Sequence, residues 1–249
     1  MKVLVFDDNS VNRETAVLSL AGHDLTVVST YDEAQKALVP VTDDKAFREL
    51  RADLLEKAGL PRGFFSVDRD VVSPIAGFAG KKTSKEDNQK YQEAKAEARA
   101  KTTIYPDFDV VLTDLMVLPS KQAQGDKEGK LMKQEMPLGT TIALLALAVG
   151  IKNVAVVTDT DHHDHPASAA FDCFRGLGAG RNLGANIVCT GCWQFGIDEM
   201  TGEGVSSRLS CNELEKKYPY NGDLKKREGL RQGKDWGRAL RQLLGEDDG

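Results

Sequence analysis

Cysteine, aromatic residues and long apolar runs are all scarce in this chain. Four cysteines occur in 249 residues, at Cys173, Cys189, Cys192 and Cys211. With no export signal ahead of them, so few late cysteines read as thiols or metal ligands and not as a disulfide framework. No apolar run approaches the ~20 residues that a membrane-spanning helix needs. The opening Met1-Lys2-Val3-Leu4-Val5-Phe6-Asp7-Asp8 is too short in its apolar part for a signal peptide, so a cytoplasmic location without membrane partners is expected. Excess positive charge is absent too: 33 Lys and Arg stand against 38 Asp and Glu, a net charge of −5. Nucleic acid is therefore not an expected partner. What the chain does have is 41% hydrophobic residues, enough for a substantial core.

Those apolar residues come in short runs that alternate with helical patterns. Residues 2–6, 25–29, 108–114, 153–158 and 185–189 read as strands, the first, third and fourth ending in carboxylates or hydroxyls. Between them lie helical segments: one with the stripe Val11, Thr15, Leu18 and Leu20; residues 32–38, stopped by Pro40; residues 140–149, containing Leu144, Leu145 and Leu147; and residues 166–174. A final amphipathic helix covers 235–244, where Trp236 and Leu240 read as packing residues, and a loop-rich tail precedes it. Residues 40–106 break the rhythm with two further helices, at 43–59 and 81–101, and form a mostly helical insertion. The expected organisation is an α/β domain of 1–39 and 107–249 with the insertion between. Five strands alternating with helices predict a parallel sheet covered on both faces, with ligands beyond the carboxyl ends of its strands.

That edge collects Asp7, Asp8, Asp114 and Thr158. Carboxylates crowded together repel, and burying them unpaired is costly. A hard divalent cation is the simplest remedy; Mg2+ prefers such oxygens, with Mn2+ or Zn2+ as alternatives. Helix capping by each Asp is the plain alternative.

The run Val3-Leu4-Val5-Phe6-Asp7-Asp8-Asn9-Ser10-Val11-Asn12-Arg13 resembles the opening of response-regulator receiver domains, especially those of hybrid sensor kinases. Phe108-Asp109-Val110-Val111-Leu112-Thr113-Asp114-Leu115-Met116 with Pro119 is similar to the segment carrying the phosphoaccepting aspartate, and Val156-Val157-Thr158 to the fourth strand and its switch hydroxyl. The resemblance implies a flavodoxin-like, doubly wound, five-stranded parallel sheet. It also implies two-component signalling: Asp114 accepts phosphate from a histidine kinase or phosphotransfer protein, Asp7, Asp8 and Asp114 hold Mg2+, and Thr158 follows the phosphoryl group. Output would pass through contacts with a protein partner. The family places a Lys just after the fifth strand, touching the phosphoryl group; here Cys189-Thr190-Gly191-Cys192-Trp193 follows, without a Lys. Asp159 stands where the family has a small residue.

Two other readings compete. A degenerate receiver would act as a binding module without phosphorylation, as the absent Lys and Asp159 suggest. A metal-dependent hydrolase would use the acidic edge together with His162, His163 and His165, which crowd the segment Asp161-His162-His163-Asp164-His165. Cys189-Thr190-Gly191-Cys192 has redox or zinc spacing but lacks a helix start after it, so buried thiols are the simpler reading. Gly176-Leu177-Gly178-Ala179-Gly180 follows a helical stretch, not a strand, and reads as a turn.

Overall fold

A computed structural model describes residues 1–62, 84–118, 135–158, 186–191, 194–198, 200–205 and 230–246. The chain forms two compact units, Met1–Val39 with Pro106–Gly249, and Pro40–Tyr105. The second unit therefore ends one residue before the expected insertion boundary.

In the larger unit, β1 (Lys2–Phe6), β2 (Asp24–Val28), β5 (Val110–Asp114) and β6 (Asn153–Thr158) form a parallel sheet in the order β2-β1-β5-β6. The backbone of β7 (Asn186–Gly191) pairs in parallel with β6. Alternation along each strand sends side chains to two cores. Leu4, Phe6, Val111, Val154 and Val156 meet α2 (Tyr31–Leu38) and α5 (Leu138–Ala148) on one face. Val3, Val5, Val110, Leu112, Ala155 and Val157 meet α1 (Ser10–Ser19) and the last helix, α6 (Trp236–Leu244), on the other. Both faces are thus covered, which is why the central strands read as continuous apolar runs.

Several helix starts follow from side-chain capping. Thr30 and Glu33 form a reciprocal capping box at α2, and Asn9 and Asp235 cap α1 and α6 by accepting the N–H groups of Val11 and Arg238. Trp236 and Leu240 are buried as expected.

The structure corrects or refines the sequence reading at three places. The buried face of α1 runs through Asn12, Thr15 and Ala16, whereas Val11 is only half-buried. On α5 the residues against the sheet are Gly139, Ile142, Ala143 and Ala146, and Leu144 is 51% exposed. Close approach explains this choice: a Cβ on Gly139 would sit 1.7 Å from the Asp114 carbonyl oxygen, so small residues face the strand ends. The supposed loop-rich tail contains an antiparallel sheet, β10-β8-β9, formed by Leu230–Lys234, Gln194–Asp198 and Gly204–Val205. Strand β10 escapes notice because its buried residues are Leu230, Gly233 and Lys234, a set without period-2 hydrophobicity. The sheet packs beside α1, where Gly233 lies against Asn12 and Thr15.

The smaller unit pairs α3 (Asp44–Lys57) with α4 (Lys85–Thr102) through Leu54, Leu55, Leu60, Tyr91 and Ala94. A two-stranded ribbon of β3 (Val41–Thr42) and β4 (Thr103–Ile104) closes its base. Among the described residues, no helix is long and apolar enough to cross a membrane.

Candidate functional site

Register brings the acidic residues to one place. Phe6 pairs with Thr113, and Asp114 with Val157, so Asp7, Asp114 and Thr158 leave three adjacent parallel strands at nearly one level. All three are buried, Asp7 fully, and Asp8 is half-buried beside them. One carboxylate oxygen from each of Asp7, Asp8 and Asp114 lies within 4.8 Å of the others.

A cation already sits among them. Lys234, the last residue of β10, is fully buried and places its Nζ 2.9 Å from Asp7 Oδ2 and 2.7 Å from Asp114 Oδ1. The same ammonium is 5.5 Å from the centre of the Trp236 ring. One ammonium bridging two buried carboxylates offsets part of the repulsion that either pair of acids alone would suffer. Lys234 thus stands where the sequence left the site without a cation. The clue was local: Gly233-Lys234-Asp235-Trp236 puts a Lys directly ahead of the cap of the last amphipathic helix. In sequence it lies far beyond the residues that follow β7.

Asp7 is held from several directions. Its Oδ1 accepts the Asn9 N–H at 2.8 Å, and Asn12 Nδ2 donates to both Oδ1 and Oδ2, at 3.2 and 3.0 Å. Burial pushes the Asp7 carboxyl above the ordinary Asp range, outweighing the downward pull of the Lys234 ammonium and of these hydrogen bonds. The Asp8 carboxylate is oriented by the Leu118 N–H at 2.9 Å, while Arg13 binds the carbonyls of Asp7 and Asp8. Beyond Asp114, an antiparallel bridge joins Val117 to Met136.

The donor set is hard oxygen throughout, and it fits Mg2+ or Mn2+ better than Zn2+, which favours nitrogen and sulfur. Asp159, His162, His163, His165 and Pro119 lie outside the described residues, as does Cys192 of the C-x-x-C segment. Asn12 is the other participant that apolar periodicity conceals, since a polar residue occupies the centre of the buried face of α1. No family model matches the chain, and no curated protein or solved structure does so either.

Proposed function

We propose that the chain is a receiver-like signal-transduction protein with a five-stranded, flavodoxin-like core, phosphorylated on Asp114 and read out through protein contacts. The observation that carries this reading is the buried Lys234 ammonium held between Asp7 and Asp114 at the carboxyl edge of the sheet. A structural ion pair needs one carboxylate, whereas here two converge on one cation with a third acid beside them.

Mg2+ held by Asp7, Asp8 and Asp114 would neutralise charge on an incoming phosphoryl group. The chain's own groups do the rest. An Asp114 carboxylate oxygen attacks phosphorus, forming an acyl-phosphate P–O bond as the donor's bond to phosphorus breaks and its electron pair leaves with the donor. Lys234, already at Asp114, neutralises the phosphoryl oxygens. Asp7, fixed by Asn9 and Asn12, holds its oxygens in place. Thr158, one residue beyond the partner of Asp114 in β6, supplies a hydroxyl at the same edge. The donor would be a histidine kinase or phosphotransfer protein.

Incubation of the full chain with Mg2+ and acetyl phosphate, followed by intact-protein mass spectrometry, tests the reading. The expected result is a phosphoryl-sized mass gain in the wild type that is absent from Asp114→Asn, whose near-isosteric side chain preserves the fold. A folded wild type without that gain favours a binding module that has lost the chemistry. Steady turnover of a phosphoester, instead of a mass gain, favours the hydrolase.

A further inference from the structure

Asn12 steadies Asp7 in the proposed chemistry, and its contacts reach beyond that role. It is 3% exposed, in the middle of the buried face of α1, and every polar group of its side chain points at the site. Its amide Nδ2 donates to both oxygens of Asp7, and its Oδ1 accepts the backbone N–H of Lys234 at 3.1 Å. Its main-chain carbonyl accepts the Trp236 indole N–H at 2.8 Å and the Thr15 hydroxyl at 2.8 Å. One residue therefore grips Asp7 on β1, the backbone that carries the Lys234 ammonium, and the first residue of α6.

The geometry points to Asn12 as a positioning residue that sets the reach of Lys234 to Asp114; the inference rests on the receiver reading and goes beyond it. Lys234 has a long, flexible side chain, and β10 belongs to a different sheet from the acids. The Asn12 Oδ1 acceptor ties the Lys234 N–H to α1, and so fixes the origin from which the ammonium reaches the acids. Small displacements of a charge-neutralising group weaken phosphoryl transfer strongly.

Two measurements on the full chain test this. Hydrogen exchange of the Lys234 amide needs no phosphorylation: in Asn12→Ala it should speed up by about tenfold, the loss of one hydrogen bond. Amides of β5 should be unchanged. Unchanged Lys234 exchange in Asn12→Ala overturns the inference, whatever the protein's activity. The second measurement is acetyl phosphate labelling of the wild type, Asn12→Ala, Lys234→Gln and the double variant. If Asn12 acts through Lys234, the double variant labels no more slowly than Lys234→Gln alone. Independent, multiplying losses overturn it. A wild type that takes no phosphate removes the receiver reading and leaves the exchange measurement to decide the role of Asn12.

Discussion

Lys234 Nζ lies 2.7 Å from Asp114 Oδ1, and neither side chain is appreciably exposed. Asp114 closes a central strand of the parallel sheet, while Lys234 closes a strand of the antiparallel sheet beside α1. Their meeting makes the site a joint product of two sheets.

Removing that ammonium leaves Asp7 and Asp114 buried without their shared counter-charge. Lys234→Met should cost about 3–5 kcal/mol of folding stability, the usual penalty for orphaning a buried charge. Urea denaturation measures it. Millimolar Mg2+ should recover part of the loss, because a cation binding the folded acids stabilises that state by mass action. A variant as stable as the wild type would show that the ammonium does not balance the acids.

The raised Asp7 carboxyl gives a pH dependence with a definite sign. A group whose folded pKa lies above its unfolded value contributes stability below the unfolded value, here 3.8, and loses it as pH rises through the folded value. Asp7→Asn does not titrate. Relative to the wild type, it should therefore gain stability as pH rises above 3.8 in the absence of divalent cations, read as melting temperature across a pH series. A gap that is constant with pH contradicts the assignment.

Gly139 tolerates no side chain. Its Cβ would stand 1.7 Å from the Asp114 carbonyl oxygen and 3.0 Å from the Leu115 Cα, both backbone atoms that cannot swing away. Gly139→Ala should destabilise by about 1–3 kcal/mol or more through overpacking and should also disturb Asp114. Thermal melting with parallel acetyl phosphate labelling checks both effects.

The buried face of α5 can be tested by a pair of substitutions. Ile142→Ala, at a fully buried site, should cost about 2–5 kcal/mol, whereas Leu144→Gln, at a half-exposed one, should stay within about 0.5 kcal/mol. Reversed costs would mean that α5 is turned over.

Much of the parallel sheet is legible in the sequence because its strands are buried on both faces and read as unbroken apolar runs: Val3 to Phe6, Val110 to Leu112, Val154 to Val157. Their carboxyl ends carry Asp7, Asp114 and Thr158, so most of the candidate site is legible as well. The rest is hidden by tertiary demands that hydrophobic period does not record. Asn12 is buried to reach Asp7 and Lys234, not for apolar contact. Gly139, Ala143 and Ala146 face the core because α5 comes close, leaving the larger Leu144 outside. Lys234 is fully buried at the end of a strand that contains Arg231 and Gln232, and no propensity scale puts it in a core.

The Asp7–Lys234 pair joins positions 227 residues apart in the chain. Contacts of such sequence separation form only after a large loss of chain entropy has been met by other, more local contacts. The parallel strands can collapse early around their apolar runs, but the acids at their ends keep repelling one another until β10 docks beside α1. Refolding should thus show the secondary structure returning ahead of the Trp236 environment, with the acidic pocket the last part of the molecule to come to rest.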